Sequence, residues 1–427
     1  MATFRLLRLV CRPNRVWTSG CAALAALSVF CAPALSQPTI TNIGVLPGGV
    51  YSVGQAASAG GSSVTGYSDA AGGGRAFRWT VSGGLESLGT LPTGTFSYAL
   101  DISADGSAVA GTGDTLSGNR AFRWLADGGM QDIGTMAGGT QSFAQAMSAD
   151  GSVIAGTGDS YLETSAFRWT SADGMQALPL LVGGTYTQSA GMSTDGSAIV
   201  GTGDSTAGVR AFRWTLAGGT HDLGVLPGGT VTQGLAISAS GTTVTGIGDA
   251  YGSNHAFRWK LGASPTMRDL GVLPGAGASY SFGHAVSTDG WVVFGQANAA
   301  GGDCAFLWTP DLGMTDLNAY LAAQGVDLTG WVLTDCCAVS ADGTALVGTG
   351  IYNGDQRAWV VRGLTPLVGP TNQCDADFDH SGALTVQDIF AFLSAWFVGD
   401  TAADFNGVGG DTVQDIFDFL AAWFAGC

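Results

Sequence analysis

The chain has 427 residues, 69 of them glycine, with 33 acidic residues against 16 basic and a formal net charge of −17. That balance leaves no basic patch for nucleic acid and predicts repulsion from anionic surfaces. The glycines follow no Gly-X-Y period, so a collagen-like rod is excluded. Length alone suggests about three domains, but an internal repeat overrules that reading.

At the N-terminus, Arg5, Arg8, Arg12 and Arg15 precede an apolar stretch from about Cys21 to Leu35. Ala34-Leu35-Ser36 then offers a small-x-small cleavage site before Gln37. Residues 1–36 therefore read as a secretory signal peptide. A retained membrane anchor is the competing reading, and the apolar stretch is short for a spanning helix. Removing the signal takes four arginines and no acid, leaving 12 basic residues against 33 acidic and a net charge near −21. The expected location is extracellular or at the cell surface, with no membrane span after signal removal.

From there to about residue 363 the chain repeats. The sequence Ala-Phe-Arg-Trp-Thr at Ala76–Thr80 returns at Ala166 and Ala211, with variants at Ala121, Ala256 and Ala305; the first five copies are 45 residues apart. Each unit shows four short runs rich in Val, Ile, Phe, Trp and Thr, bounded by Gly, Asp and Ser, which predict strands and turns. Asp-Gly recurs at 105, 150, 195, 289 and 342. It predicts two-residue hairpins in which both central residues take positive φ. Four strands in 40–50 residues is the size of a propeller blade.

The count predicts seven blades. The post-turn strand and the Ala-Phe-Arg-Trp strand occur seven times, but the final strand follows its own blade only six times. The missing copy stands at the other end, where Thr41–Gly49 matches Asp222–Gly229. The N-terminal strand is therefore expected to complete blade seven and to close the ring.

Phe77 and Trp79 lie two apart and face one side of their strand, so the copies predict a buried aromatic layer between blades. The intervening Arg78, Arg123, Arg168, Arg213 and Arg258 face the other side. They are expected to pair with Asp114, Asp159, Asp204 or Asp249 rather than to form a ring of ligand-binding cations. These units resemble the extracellular HAF-type repeat, which His255-Ala256-Phe257 matches literally. The resemblance covers roughly Thr39 to Arg362; it implies an extracellular β-propeller-like array and no particular chemistry. Leu317–Trp331, with Asn318, Tyr320 and Gln324, interrupts the period and is expected to be a short helix over one face.

Beyond a linker at 364–373, two near-identical segments follow 27 residues apart, Val386–Phe397 and Val413–Phe424, each behind an acidic loop. The first loop places Asp377, Asp379, Ser381, Ala383, Thr385 and Asp388 at positions 1, 3, 5, 7, 9 and 12, with Gly382 at position 6. Alternating hard oxygens around a sharp glycine turn form the calcium-loop pattern. The second loop offers Asp404, Asn406, Thr412 and Asp415. Val408 removes its position-5 oxygen, so it is expected to bind calcium more weakly or to recruit Asp411 or water. Two solvated acidic turns without metal are the alternative. A zinc site is disfavoured, because His221, His255, His284 and His380 are scattered and no Cys-x-x-Cys exists.

Two calcium loops, each followed but not preceded by a helix, resemble a dockerin over residues 374–427, of the variant type ending in Gly-Cys. The resemblance implies docking onto a cohesin-like or surface-anchoring protein, with Val386, Gln387, Val413 and Gln414 at the partner-choosing positions. Their identity lets either half present the same face. The apolar residues Ile389, Phe390, Leu393, Trp396, Phe397, Ile416, Phe417, Leu420, Trp423 and Phe424 are expected to be mostly core.

Five cysteines remain after the signal, an odd number for an oxidising compartment. Cys374 and Cys427 bracket the tail and are the first expected bridge, and Cys304 with Cys336 or Cys337 is the second. Three functional classes follow. The favoured one is a secreted, non-enzymatic binding or scaffolding propeller with a polysaccharide or protein ligand, attached through its calcium-dependent tail. The others are a dockerin-borne polysaccharide hydrolase or lyase and a purely structural surface protein. Against an enzyme, the only glutamates of the mature chain are Glu86 and Glu163, and nearly all aspartates sit in repeat turns, whereas glycoside hydrolysis needs two carboxylates in differing environments.

Overall fold

The computed structural model describes residues 37–427 except 162, 251, 263–265, 276–279, 367–375, 377, 379–383, 399–402, 404, 406–411 and 426–427. The expected signal peptide at 1–36, most of the expected linker and the expected Cys374–Cys427 bridge lie outside the described residues.

Seven four-stranded antiparallel sheets form a β-propeller. Blades 1 to 6 occupy residues 52–87, 97–132, 142–177, 187–222, 232–269 and 281–316. Blade 7 takes residues 331–362 and is completed by Thr39–Asn42, which pairs with Asp355–Arg362 so that Thr39 opposes Arg362 and Asn42 opposes Trp359. The first strand of each blade touches the first strand of the next, and blade 7 returns to blade 1. First strands therefore form the inner ring, and each blade runs outward from it.

One glycine holds each blade together. Gly66, Gly111, Gly156, Gly201, Gly246, Gly295 and Gly348 occupy one position on the second strand, where a Cβ would lie 1.9–2.3 Å from a carbonyl oxygen of the first strand. Opposite them the first strand carries a bulge, as between Ser189 and Gly191. On the other side of the same position lies the third-strand aromatic: a Cβ at Gly156 would meet Phe167 Cζ at 2.1 Å. Only glycine allows the two strands and the ring to approach so closely.

The aromatic layer is as expected. Phe77, Phe122, Phe167, Phe212 and Phe257 are fully buried. Val64, Phe77 and Trp79 of blade 1 pack with Val347, Ala358 and Val360 of blade 7 across the seam of the ring. Burying each such aromatic contributes about 1.5–3 kcal/mol relative to exposure.

Two local expectations change. The Asp-Gly turns are not two-residue hairpins with paired positive φ: Gly106 has φ 73°, and among the described residues only Thr93 and Asn353 combine a Cβ with positive φ. Instead the Gly106 amide donates to Ser103 O, the Ser103 amide donates to Ala108 O, and Asp105 accepts from the Ser107 amide and hydroxyl. The loop is thus wider, and its aspartate makes a local turn of its own. These turns also link neighbouring blades: the amides of Ala59, Ala104, Ala149 and Thr194 donate in sequence to the carbonyls of Ala104, Ala149, Thr194 and Ala239.

The repeat arginines do not pair with Asp114, Asp159, Asp204 or Asp249. Each of those carboxylates accepts from the two amides that precede a first strand; Asp204, for example, takes Thr185 and Tyr186 at 2.6 and 2.8 Å. The nearby amides are closer partners than any guanidinium. Arg78, Arg213 and Arg258 instead reach the next blade through Nε, donating to the carbonyls of Gly106, Gly241 and Gly290 at 2.8, 2.6 and 2.7 Å. Arg78 and Arg258 also lie over the next blade's Trp124 and Trp291, an added cation–π attraction. They are staples between blades.

The insert contains α1, Leu317–Ala323, capped by the Asp316 carboxylate accepting from the Asn318 amide. Leu317 and Leu321 are buried in the core shared by blades 6 and 7. Asn318 imitates a paired strand, donating to Leu333 O at 3.0 Å and accepting from the Leu333 amide at 2.8 Å. Leu364, placed in the linker by sequence, is buried in that core as well.

In the tail, α2 (Val386–Val398) and α3 (Val413–Ala425) pack as equivalents. The Phe392 and Phe419 rings stack in parallel with centroids 4.2 Å apart, and Phe378 and Phe405 meet them edge-on. Trp396 Nε1 donates to Thr412 O and Trp423 Nε1 to Thr385 O, each at 3.0 Å. Each helix therefore braces the loop before the other.

Candidate functional site

Two regions gather chemistry beyond what folding requires: the wall of the inner ring and the surface of the tail. On the inner ring, His284 of blade 6 and Asp335 of blade 7 meet at 2.8 Å through Nδ1 and Oδ1. Burial lowers the imidazole pKa, but the charge and hydrogen bond of Asp335 outweigh it and raise the value overall. The Cys337 thiol donates to the other oxygen of Asp335 at 3.4 Å. Burial and the Asp335 charge raise the pKa of both Cys336 and Cys337. Cys304 is pushed up to about 12 by burial and by its hydrogen bond to Asp316. These thiols stay protonated, so none is an activated nucleophile. They are also free, which corrects the expected bridge from Cys304 to Cys336 or Cys337. Cys304 Sγ donates to its own neighbour Ala305 O, while Cys336 is buried in the core of blade 7.

Asp101 stands where five of the other blades have alanine (Ala56, Ala146, Ala236, Ala285, Ala338) and blade 4 has Gly191. Its two oxygens accept the Ile102 amide at 2.8 Å and the Met147 amide of blade 3 at 2.7 Å. Burial pushes its carboxyl up to about 6. A raised carboxyl pKa favours folding while the group is protonated, and the benefit is lost as pH rises through the folded-state value. Asp101→Ala is therefore expected to stabilise the chain above pH 7 by about 1–2 kcal/mol and to give no gain near pH 4. Urea unfolding midpoints at the two pH values check this; a gain of equal size at both would remove the titration of Asp101 as its cause.

In the tail, Thr385, Asp388, Thr412 and Asp415 are described; Asp377, Asp379, Ser381, Ala383, Asp404 and Asn406 lie outside the described residues. Asp388 Oδ2 accepts the Thr385 amide at 2.7 Å while Thr385 Oγ1 accepts the Gln387 amide at 3.2 Å. Asp415 accepts the Thr412 amide at 2.7 Å and its hydroxyl at 2.8 Å. Thr-x-x-Asp before each helix is thus a capping box, a signal present in the sequence and not used there. Both carboxylates are fully buried. A buried carboxylate needs compensation, and the helix N-terminus supplies part of it. These described donors, carboxylate and threonine oxygens, suit a hard cation such as calcium. Among the described residues no three or more acidic, histidine or cysteine side chains come together as a metal-holding group.

Val386 and Val413 are 58% and 59% exposed, and Gln387 and Gln414 are exposed beside them. Four aromatics expected to be core are not: Phe390 and Phe397 are 59% and 76% exposed, Phe417 and Phe424 62% and 77%. Positions 386, 390 and 397 fall on one stripe of a 3.6-residue helix, whereas 389, 392 and 396 fall on the inward stripe and Leu393 lies between them, half-buried. Each helix thus presents a Val-Phe-Phe stripe outward, and the two stripes are identical.

No family model matches the chain, and no curated protein matches it either. Solved structures that resemble it include an oligogalacturonate lyase in complex with manganese, at 11% identity and TM-score 0.50, covering 76% of this chain and 92% of that one. The β-propeller domain of the trilobed protease from Pyrococcus furiosus matches at 10% identity and TM-score 0.47, over 74% of this chain and 96% of that one. TolB from Acinetobacter baumannii matches at 12% identity and TM-score 0.41, over 60% of this chain and 63% of that one, so the chain spans just under two thirds of its length. At such identities the likeness to the lyase shows the propeller fold alone.

Proposed function

We propose that the chain is a secreted binding or scaffolding propeller, attached to a protein at the cell surface or in an extracellular complex through a calcium-dependent, dockerin-like tail. The observation that carries this reading is the duplicated outward stripe, Val386-Phe390-Phe397 and Val413-Phe417-Phe424. Large apolar groups left in water on so small a unit are costly, and such patches mark interaction sites. Tryptophan bracing and the buried carboxylates tie each stripe to the loop before the other helix, so a cation in the loops would set the geometry of the stripes. The repeat carboxylates support binding rather than catalysis, since they are committed to turns and amides. The hydrogen bond from Ser148 and those from Ser152 hold Asp150 at about 2, too low for a general acid at neutral pH.

The mature chain is expected to retain one protein from the secreted and surface fractions of its source. Phe390→Ser or Phe417→Ser alone leaves the other face intact, so retention persists. Both together are expected to weaken it by about 100-fold or more, ~3 kcal/mol. Unchanged retention by the double variant would remove the stripes from the interface.

A further inference from the structure

In four blades an arginine immediately before the Ala-Phe pair (Ala-Trp in blade 7) spans the cleft to the next blade. Arg75, Arg120, Arg210 and Arg357 donate to the carbonyls of Thr95, Thr140, Thr230 and Val50, each two residues before the next first strand. Blade 5 has His255 at that position. Its ring meets Asp269 of its own blade, with Nδ1 at 2.8 and 2.9 Å from the carboxylate oxygens, at the position where Arg120 and Arg210 also approach Asp132 and Asp222.

Blades 3 and 6 also lack the arginine, with Ser165 and Cys304 in its place, but beside His255 a cavity of about 500 Å³ lies between blades 5 and 6, lined among the described residues by Asp249, Gly252, Ser253, Asn254, Tyr280 and Phe282. That volume lies within the range of small-ligand sites. Its wall is aromatic: the Tyr280 and Phe282 rings are 17° from parallel with centroids 4.9 Å apart. The Tyr280 hydroxyl donates to Asp303, which fixes the ring in place. Asp249 is committed to the Thr230 and Val231 amides and the Thr230 hydroxyl. Among the described residues the Asn254 side-chain amide and the Ser253 hydroxyl make no hydrogen bond, and both line the cleft.

We propose that this cleft is a binding subsite for a neutral saccharide. The outer face of this aromatic stack receives the C–H face of a pyranose, and the Asn254 side-chain amide with the neighbouring Ser253 hydroxyl suits adjacent sugar hydroxyls, which both donate and accept. Among the described residues no cationic side chain lines the cleft, and Asp249 disfavours an anion, so a neutral sugar is favoured over a uronate. The proposal is independent of the tail and gives the propeller a ligand of its own.

The test is calorimetric titration of the mature chain, in excess chelator so that the tail takes no part. The probes are four neutral hexasaccharides (β-1,4-glucose, β-1,4-xylose, β-1,4-mannose and β-1,3-glucose), with trigalacturonate as the charged comparison. At least one neutral probe is expected to bind. Tyr280→Ala is expected to weaken that binding tenfold or more, and Tyr280→Phe far less. His255→Arg, which supplies the arginine of four other blades, is expected to abolish it with no fall in melting temperature. Failure of all four neutral probes to bind, binding unchanged in His255→Arg, or equal binding of trigalacturonate would each overturn the proposal. Loss of calcium-dependent retention by the tail would leave it standing.

Discussion

Deleting residues 37–44 from a chain of residues 37–427 is expected to lower unfolding stability by about 4–6 kcal/mol and to cause self-association. The deletion removes the whole closing strand, with its four ladder pairs to Asp355–Arg362. It also removes Ile43, which is buried beside Val64 and Phe77 of blade 1 and Val360 of blade 7. Blade 7 is left with three strands, and Asp355–Arg362 becomes an open edge at the seam of the ring. Open edges are templates for pairing with another chain. Urea unfolding and sedimentation velocity check both effects together. A monomer with an unchanged midpoint would mean that the ring holds through its inner strands alone.

Gly201→Ala is expected to cost about 3 kcal/mol, although it adds a single methyl group. The new Cβ would lie 1.9 Å from Gln188 O, 2.8 Å from Ser189 Cα and 2.9 Å from Gln188 C. All three are backbone atoms of the inner strand, so no rotamer change relieves the clash and the bulge itself has to move. Gly129→Ala is the informative comparison. Gly129 has φ +68° and open space around it, so alanine there meets only backbone strain, about 1 kcal/mol. Urea midpoints for the two variants separate close approach from conformational freedom. Equal losses would mean that the second-strand glycines serve flexibility rather than packing.

Much of the architecture was legible because it repeats. The 45-residue period set the blade, and the likeness of Thr41–Gly49 to Asp222–Gly229 located the closing strand at the far end of the chain. The alternation of Phe77 and Trp79 foretold the layer between blades. What the sequence left hidden is partnership across distance. Arg78 faces Gly106 O, 28 residues away, and nothing local marks that carbonyl as the acceptor. His284 and Asp335 are 51 residues apart and meet only because consecutive blades share the inner ring. In the tail helices nearly every position is apolar, so composition alone assigns all of them to the core. Helical phase shows instead that Phe390 and Phe397 cannot lie on the stripe that holds Phe392. The cleft of blade 5 had one visible sign, histidine where four blades have arginine, but its meaning depends on knowing what the arginine does.

The most direct test of the proposed role is capture of a partner by the full mature chain with calcium and with chelator, from the secreted and surface fractions of the source organism. The account predicts a single protein retained with calcium and released when calcium is removed. Retention that is equal under both conditions would contradict it, because the tail would then bind without the ion that is proposed to shape its two faces.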